Sequence, residues 1–571
     1  MRSKIFLIII IALFLFPFCG LVYLQIIKGN FYYNLSKKNY IRIIEQKAPR
    51  GKILDRNGEI LADNRLAFNI AVIPQEIQDK DQLFSQLTSL LNKDTDALQK
   101  NYKKNYTTPF APITIAKDIG KKKAMLLEQK RIDLPGIIIE KFPQRFYPHG
   151  ALTAHILGYV NLVNRAKISK LKEYGYSIRD IVGYTGIEEQ YDGILRGKDG
   201  GIQIEVDNRG RQVHMLAMRD PEIGNDITLT IDVRMQKIIY DLIENRRGAV
   251  VVMQPNSGEV LAMVSSPSFN PDVFLLKSSK RKMSQLFNDS RSPLLNRPIS
   301  GLYPPGSVFK ILLSIASLET KKSTPYTTFA CNGGYTIGKS LFKCWNFHGP
   351  QDLHSAIVHS CNVYFYHLGL MLGPDVIEKF ALKWGFGKPT EIDIPFEQKG
   401  SVSSRRKRRL VQKKQWYKGH TLNYSIGQGD LLVTPLQVTR FIAAVANGGW
   451  LTDPYLLNSV GSEQIVRESR ARKLRVSKDT LNSIRYALRH VVKDQSGSAY
   501  VVNIEGFPVA GKTGTAQTSR ESTHAWFAGY APSDKPKIAF CIFLEYGGSS
   551  HEACLLAGAI FREFQNQKLL N

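Results

Sequence analysis

A serine and a lysine one helical turn apart are the residues of this chain best placed to do covalent chemistry. Ser307 and Lys310 follow a Pro-Pro-Gly turn at 304–306, and the apolar run at 311–316 predicts a helix that begins near the serine. There the lysine amine can act as a base, while free backbone N–H groups and the helix dipole stabilise negative charge. The pattern predicts a nucleophilic serine, although Ser-x-x-Lys alone is a common chance match that also fits a surface serine beside a solvated lysine.

Two further polar motifs strengthen this prediction. Ser360 and Asn362 form a Ser-x-Asn motif, and residues 512–515 read Lys-Thr-Gly-Thr. Successive motifs along the chain are about 50 and about 150 residues apart. The order and spacing resemble the three active-site motifs of penicillin-binding proteins and serine β-lactamases. This resemblance implies an acyl-transfer site built from all three segments.

The predicted catalytic residues each have a separate role in moving protons or holding the substrate. A serine hydroxyl is a poor nucleophile at neutral pH, so Lys310 must be held neutral, either by burial or by the cation of Lys512. Ser360 is predicted to pass a proton to the departing amine, and the amide of Asn362 to hold the peptide. The catalytic set is therefore Ser307, Lys310, Ser360, Asn362 and Lys512.

The third motif also has predicted substrate-binding residues. Thr513 and Thr515 fall on one face of a strand because side chains alternate, so both hydroxyls can face a substrate carboxylate. Gly514 between them leaves room for the substrate to approach. The backbone N–H groups of Ser307 and Thr515 are predicted to form the oxyanion hole.

Length and charge set limits on the class of protein. The chain has 571 residues, 43% of them hydrophobic, which allows two or three domains with substantial cores. Its 77 Lys and Arg against 49 Asp and Glu give a net charge of +28, which calls for an anionic partner. No nucleic-acid module is recognisable, so anionic lipid or envelope polymer fits better than nucleic acid. The densest basic run, 403–409, is interpreted as a solvated loop rather than a nuclear-import signal.

The N-terminus predicts a membrane anchor. A short tail, residues 1–4, precedes an almost wholly apolar stretch at 5–24, which is long enough to cross a bilayer. A cleavable signal peptide is the rival interpretation, but the apolar region is too long and Phe-Cys-Gly at 18–20 offers no cleavage site. We therefore expect an uncleaved anchor at 5–27. The basic residues of the tail predict a cytoplasmic N-terminus, although several lysines also follow the span.

Local patterns predict an α+β protein. Asn57-Gly58 signals a hairpin, and the polar stretch 79–104 predicts exposed helices. After residue 224 come an alternating strand, a helix capped by Asp232 whose apolar face includes Leu242, and a buried hairpin over 249–264. A loop-rich region is expected between the Ser307 helix and Ser425, then three antiparallel strands near 512, 526 and 538 and a final helix from about 552.

The predicted boundaries are 1–4 for the tail, 5–27 for the anchor, 28–223 for a first domain and 224–571 for the catalytic domain.

Three segments outside the catalytic motifs extend the resemblance to the whole chain. Residues 48–62, 145–159 and 186–197 resemble motifs of the class B penicillin-binding proteins, membrane-anchored D,D-transpeptidases in which these segments form a non-catalytic pedestal. The two prolines before Gly306 resemble the elongation type, penicillin-binding protein 2, since the septal type usually has an acidic residue at the first of them. The implied fold is an antiparallel sheet flanked by helices on an elongated pedestal. A bifunctional class A enzyme is not expected, because no glycosyltransferase module precedes the pedestal.

The resemblance implies a function, a location and partners. Ser307 would be acylated by the D-Ala-D-Ala end of a peptidoglycan stem peptide, release D-Ala, pass the acyl group to an amine of a neighbouring stem, and react covalently with β-lactams. The expected location is the inner (plasma) membrane of a bacterium, with the catalytic domain outside the cytoplasm. The expected partners are the lipid-linked precursor polymer and, in the membrane, a SEDS-family glycosyltransferase with other elongation-complex proteins. Two alternatives stay open: a D,D-carboxypeptidase or β-lactamase that uses water as acceptor, and a β-lactam sensor without turnover.

Three cysteines and a histidine near the second motif predict a structural metal site, although no cofactor is expected for the chemistry itself. Cys331-x12-Cys344-x3-His348-x12-Cys361 offers three thiolates and an imidazole, a closed tetrahedral set for zinc. The alternatives are a Cys331–Cys344 disulfide with a buried Cys361 thiol, or free thiols throughout. Elongation-type relatives can carry Asp, Asp, His and Cys near these positions. The set here therefore resembles the same metal site with softer ligands, because cysteines replace the first two carboxylates. Other candidate ligands are His354 and His359.

Overall fold

The computed structural model describes most of the chain in two compact units. The described residues are 2–106, 108–109, 111–130, 133–177, 180–207, 212–275, 280–465, 471–518 and 522–570. The first unit comprises Met1–Gly51, Asn64–Arg145 and Arg196–Asn225. The second comprises Lys52–Asp63, Phe146–Leu195 and Asp226–Asn571. Residues 52–63 and 146–195, which the predicted boundaries assigned to the pedestal, thus belong to the same compact unit as the catalytic motifs.

The N-terminus forms the expected apolar helix. It runs over Arg2–Val22 and continues as one π-helical turn, Tyr23–Ile27, before a second helix, Gly29–Tyr40. Within the described chain, one helix, Ser3–Ile27, is long and apolar enough to cross a membrane, and none of it is buried. Side chains such as Phe14 and Phe16 are exposed along it. Apolar side chains exposed to this extent suit a lipid environment and do not suit water.

The first unit contains two small sheets and three amphipathic helices. One sheet joins Ile41–Gln46, Gly200–Val206 and Gln212–Arg219. In the other, Ile113–Ala116 and Ile137–Phe146 pair with strand Ile60–Val72. The helices are Lys80–Leu91, Thr95–Asn105 and Lys121–Gln129. Asp79 and Asp94 cap the first two helices, which confirms the helices predicted over 79–104. Their apolar residues, including Leu87 and Leu98, form this unit's core.

A five-stranded antiparallel sheet organises the second unit. Its strands, in spatial order, are Val260–Ser266, Gly248–Met253, Ile538–Leu544, Thr523–Ala531 and Ala510–Gln517. The middle strands are buried on both faces, which explains why they read as continuous apolar runs. The last strand, here called the motif strand (Ala510–Gln517), lies at an edge of the sheet and carries the Lys-Thr-Gly-Thr sequence. The predicted sheet is confirmed.

Helices cover this sheet. They are Val233–Ile243, Pro435–Ala446, Lys478–Lys493 and Ser550–Asn566, whereas Lys310–Glu319 packs against other helices of this unit. The helix that begins at Pro435 is buried along its whole length. Asp232 accepts hydrogen bonds from the backbone N–H groups of Arg234 and Met235, as its predicted capping role requires. Leu242, predicted to lie on the apolar face of the same helix, is instead 37% exposed.

The segment between the Ser307 helix and Ser425 is more helical than expected. It contains five helices: Leu353–Val358, Asn362–Leu372, Pro374–Lys383, Arg405–Leu410 and Lys418–Ser425. The expected loop-rich region is therefore wrong. Most of these helices are short, and the longer Asn362–Leu372 is apolar on nearly every side, so no amphipathic period marks it in the sequence. The predicted loop at 403–409 is likewise mostly a short helix, Arg405–Leu410, and its charged side chains are exposed except that of Arg408.

Short elements complete the second unit. A mixed sheet joins Glu463–Gln464, Leu457–Val460, Ile227–Leu229, Ile53–Leu54 and the start of Ile60–Val72, with the predicted Asn57-Gly58 turn between the last two. The paired strands are Val160–Leu162 with Ile181–Gly183, Phe329–Cys331 with Gly349–Gln351, Gly334–Ile337 with Ser340–Lys343, and Trp450–Leu451 with Arg472–Lys473. The remaining helices are Ala154–Leu157, Arg165–Leu171, Gly186–Gln190, Asp192–Leu195, Asp272–Leu275, Lys280–Asn288 and Arg297–Ser300.

Candidate active site

The three sequence motifs meet at one open cleft in the second unit. The cleft has a volume of about 720 Å³, and its walls include Ser307, Ser360, Asn362, Thr513 and Thr515. These residues come from a helix start, an inter-helix turn and an edge strand that are far apart in sequence. Their convergence is what the spacing of the motifs predicted.

Ser307 lies where a tight turn becomes a helix. Gly306–Phe309 form one 3₁₀ turn, and the catalytic helix (Lys310–Glu319) follows directly. Gly306 has a φ of +56°, and a Cβ added there would lie 2.7 Å from the carbonyl oxygen of Thr515. Glycine therefore allows the turn and the motif strand to approach backbone to backbone. This approach brings the backbone of Ser307 close to that of Thr515, the two predicted oxyanion donors.

Lys310 is fully buried and is hydrogen-bonded to the second motif. Its Nζ donates to the backbone oxygen of Ser360 and to Oδ1 of Asn362, each at 2.7 Å, and lies 3.4 Å from the Ser360 hydroxyl. Burial lowers the pKa of Lys310 to about 8. Of the two causes predicted for a neutral Lys310, burial is thus the one that acts, and the charge of Lys512 is not needed.

The second motif is held in a strained turn. Ser360 has a φ of +55°, a conformation that side-chain-bearing residues seldom adopt, and it is 7% exposed. Cys361 then caps the helix Asn362–Leu372, so Asn362 is its first residue. A left-handed non-glycine residue persists only where the surroundings enforce it, and such residues concentrate at functional sites. The hydrogen bonds from Lys310 are part of that enforcement.

The motif strand presents two threonines to the cleft and buries a lysine beneath them. Thr513 and Thr515 both line the cleft, as the period of two predicted. The Thr513 hydroxyl lies 2.8 Å from that of Ser498, and Lys512 Nζ donates to it at 3.3 Å. Burial, and then the charge of Lys310, hold the pKa of Lys512 well below its usual range. The charge of Lys310 thus contributes to the lowered pKa of Lys512, but burial is the larger cause.

Gly514 has a packing role that the sequence did not suggest. A Cβ at this position would lie 3.0 Å from the carbonyl oxygen of Pro305, 3.0 Å from Cγ2 of Val308 and 3.2 Å from Cβ of Trp526. Contacts this short with backbone and packed side chains leave no room for a larger residue. Gly514 thus lets the motif strand pack against the turn that carries Ser307, whereas the predicted reason was access for the substrate.

Comparison with known proteins agrees with this geometry. The sequence profile of the penicillin-binding protein transpeptidase domain matches residues 248–565. The profile of the penicillin-binding protein dimerisation domain matches residues 45–229. The chain belongs to the penicillin-binding protein family.

Full-length relatives place this penicillin-binding protein in the predicted elongation class. It is 31% identical over 563 residues to the peptidoglycan D,D-transpeptidase MrdA of Acinetobacter baumannii, covering 94% of this chain and 84% of the relative. It is 32% identical over 556 residues to MrdA of Salmonella typhimurium, covering 92% of this chain and 89% of the relative. The structure of penicillin-binding protein 2 from Helicobacter pylori in complex with MreC matches with a TM-score of 0.83 at 31% identity, covering 93% of this chain and 99% of the other. These matches confirm the predicted family and fold class.

The four predicted metal ligands of this penicillin-binding protein lie together beside the second motif. The ligand atoms of Cys331, Cys344, His348 and Cys361 are all within 4.8 Å of one another. His348 Nδ1 lies 3.5 Å from the sulfur atoms of both Cys331 and Cys344. All six cysteines are free in this structure. His354 and His359, the other candidate ligands, are not part of the cluster among the described residues.

The two thiols nearest the catalytic residues share a hydrogen bond. That bond lowers the pKa of Cys344 to about 4, helped by backbone N–H groups that include Asn362, and it raises the pKa of Cys361. The Asn362 N–H donates to the Cys344 sulfur at 3.2 Å. A thiolate is the form of cysteine that binds metal, so the pair is prepared for a cation.

Several cleft residues were missed by the sequence reasoning. Besides the motif residues, the walls include Leu341, Phe342, Trp345, Asn423, Gln428, Thr523 and Ser550. Trp345 is 62% exposed, yet its indole N–H donates to the His359 backbone oxygen at 3.0 Å, which fixes the ring at the cleft. Glycines at 427 and 429 were the only local signal near Gln428, and they indicate a turn without indicating a ligand.

Proposed function

We propose that this chain is a peptidoglycan D,D-transpeptidase that cross-links stem peptides during cell-wall elongation through an acyl-enzyme on Ser307. The observation that carries the proposal is the buried Lys310 amine, which donates 2.7 Å hydrogen bonds to Ser360 and Asn362. Both partners line the cleft that also contains Ser307 and the hydroxyls of Thr513 and Thr515. Its relatives in Acinetobacter and Salmonella are named peptidoglycan D,D-transpeptidases. β-Lactams are expected to acylate the same serine.

Acylation begins with proton transfer from Ser307 to Lys310. In the neutral state the amine has two N–H groups, which donate to Ser360 O and Asn362 Oδ1, and one lone pair. The lone pair accepts the hydroxyl proton as Ser307 Oγ bonds to the carbonyl carbon of the penultimate D-Ala. The backbone N–H groups of Ser307 and Thr515 stabilise the oxyanion that forms.

Leaving-group departure and acyl transfer complete the cycle. The Ser360 hydroxyl, 3.4 Å from Lys310 Nζ, relays the proton to the nitrogen of the terminal D-Ala as the C–N bond breaks. The Thr513 and Thr515 hydroxyls, which line the cleft, hold that residue's carboxylate, and the buried Lys512 donates to the Thr513 hydroxyl from beneath. An amine of a neighbouring stem then attacks the ester, loses its proton along the same route in reverse, and frees Ser307.

Transfer and hydrolysis can be separated with one small substrate. We expect the purified full-length protein to form the amide product from a D-lactyl depsipeptide when a D-amino acid acceptor is added, at the expense of the free acid. Hydrolysis unaffected by the acceptor would identify a carboxypeptidase-like enzyme. Stoichiometric acylation without release of either product would identify a sensor.

The location that we propose rests on the apolar helix near the N-terminus. One helix near the N-terminus is able to anchor the chain. The proposed orientation places the N-terminus in the cytoplasm and the catalytic unit outside it, because long domains translocate largely regardless of their charge. Peptidoglycan lies on that outer side of the bacterial inner membrane, which is where the proposed substrate is found.

We propose a membrane-embedded SEDS-family glycosyltransferase as partner, since the chain needs a source of uncross-linked strands. A chain matched here with a TM-score of 0.76 at 28% identity comes from a structure described as a peptidoglycan synthase complex. A photo-crosslinker at the exposed Glu59 should form an adduct with such a polymerase in intact membranes. The same crosslinker at the exposed Lys535 is the control. Equal yields at the two positions, or none at Glu59, would count against this contact.

We also propose a structural zinc ion at the cysteine cluster. Three thiols and an imidazole within 4.8 Å of one another match the ligand number and chemistry of closed zinc sites. Bound there, zinc would supply a structural link and no open coordination position. Since Cys361 lies between Ser360 and Asn362, the ligand set would fix the second motif in position.

Metal content and reactivity should change together. We expect about one zinc per chain by elemental analysis, as for closed four-ligand sites. Cys344→Ser should lose the metal and most penicillin reactivity, because Cys361, which lies between Ser360 and Asn362, then loses its link through the metal to the other ligands. Cys541→Ala removes a buried thiol outside the cluster and should keep both. A metal-free wild-type protein with full reactivity would refute the site.

A further inference from the structure

Residues 399–418, here called the basic segment, carry the densest positive charge of the chain. The segment contains nine lysines and arginines, and no acidic residue occurs between Glu397 and Asp430. The whole chain has a net charge of +28. None of these nine side chains takes part in the acyl-transfer chemistry. So many like charges in one stretch repel one another unless they meet an anionic partner.

The basic segment is an ordered element of the second unit. Its helix, Arg405–Leu410, is capped by Ser404, whose hydroxyl accepts from the backbone N–H of Lys407. Arg408 donates to the Gln415 backbone oxygen at 3.2 Å and to Asp430 at 2.8 Å. The Gln415 contact closes the segment on itself, and the Asp430 contact ties its helix to the rest of the second unit, so the backbone that carries the charges has a defined position.

Most of its charges have no acidic partner. Arg405 lies 3.5 Å from Asp375, and Arg408 pairs with Asp430. In the part of the chain that the structure describes, no ion pair involves the exposed side chains of Arg406, Arg409, Lys413, Lys414 and Lys418. A surface with five such charges attracts polyanions over about 10 Å at moderate salt.

The basic segment is continuous with the wall of the catalytic cleft. Its last residue, Lys418, begins the helix Lys418–Ser425, which carries the cleft residue Asn423. A Cβ on Gly419 would lie 3.1 Å from Cζ of Phe342, another cleft residue. A ligand that extends out of the cleft along this wall therefore meets the free lysines and arginines.

We propose that the basic segment is a subsite for the carboxylates of peptidoglycan stem peptides on the strand that enters the cleft. This inference rests on the proposed transpeptidase function. Each uncross-linked stem ends in a free D-Ala carboxylate, so a strand that bears many stems is a polyanion. While one stem occupies the cleft, its neighbours reach the basic segment and hold the strand near Ser307. Electrostatic attraction of this kind raises the local concentration of a charged substrate.

Two matched variants test the subsite. The first changes the four unpaired residues Arg406, Arg409, Lys413 and Lys414 to Gln, a neutral residue that favours helix. The control changes four exposed lysines of the first unit, Lys100, Lys103, Lys121 and Lys122, to Gln, and removes the same charge. Both are made in the full-length protein in neutral-lipid nanodiscs. Binding is measured to uncross-linked peptidoglycan strands and to strands whose carboxylates have been amidated.

The first variant should bind native strands roughly tenfold more weakly at low salt, as expected for loss of electrostatic attraction, and the difference should vanish at high salt. The control variant should bind like wild type, and amidated strands should bind all three proteins weakly. Fluorescent penicillin should acylate all three within about twofold, since exposed charges contribute little at short range. This labelling separates failure of the subsite from failure of the proposed catalysis.

Two outcomes would overturn the subsite. Equal strand binding by the two variants would show that the position of the charges does not matter. A first variant that binds strands normally but no longer binds vesicles containing anionic lipid would assign the basic segment to the membrane surface. If the first variant loses penicillin labelling, Lys413→Gln with Lys414→Gln replaces it. Both residues lie outside the short helix, and this pair should lower strand affinity by a smaller factor.

Discussion

Ser307→Ala is expected to abolish covalent labelling by fluorescent penicillin while the protein stays folded. The hydroxyl is the group that attacks in this mechanism, so its loss should lower the acylation rate by roughly 10³-fold or more. Ser307 is only partly buried, and a change of this kind typically alters the free energy of unfolding by less than about 1 kcal/mol. Labelling is read on a gel, and folding is read from the thermal transition.

Ser314→Ala is the matched control. Ser314 lies one turn further along the catalytic helix, and its hydroxyl donates to the backbone oxygen of Lys310 at 2.9 Å. Removing such a back-bonded hydroxyl within a helix is well tolerated, so this variant should label normally. Stoichiometric labelling of Ser307→Ala would place the nucleophile elsewhere.

Lys310→Arg is expected to lower the acylation rate by about 10²–10⁴-fold, the range for loss of a general base. A guanidinium keeps its proton at any working pH, whereas burial lowers the pKa of Lys310 to about 8. The neutral, basic form of Lys310 becomes more abundant as the pH rises through that value. The wild-type acylation rate should therefore increase with pH and level off above about 8.

The larger guanidinium must also fit a fully buried site, which costs about 1–3 kcal/mol when a core is overpacked. Lys310→Met separates the two effects, because it keeps the unbranched shape without a base. In both variants the acylation rate should fall, and the increase in rate with pH that is attributed to the lysine should disappear. Wild-type rates and an unchanged pH profile in Lys310→Met would assign the base to another group.

The sequence by itself determined which residues make up the candidate site. Three short motifs in a fixed order predicted the cleft, because each contains residue types whose reactivity is intrinsic. They are a hydroxyl after a Pro-Pro-Gly turn, an amine one helical turn away, and two threonines that share one face of a strand. The apolar N-terminal helix and the buried strands were equally predictable, since continuous apolar runs have few alternatives. The four zinc-ligand candidates could be named because their spacing is local.

Only the tertiary structure decided how those residues act. Burial lowers the pKa of Lys310, and burial depends on the packing of elements that are remote in sequence. The left-handed conformation of Ser360 and the packing of Gly514 against Pro305 and Val308 likewise depend on neighbours that no local pattern encodes. Most of the helices between the Ser307 helix and Ser425 escaped prediction because they are short or apolar on nearly every side. Long-range packing, which supplies most of the stability of such helices, therefore fixed both their positions and the shape of the cleft.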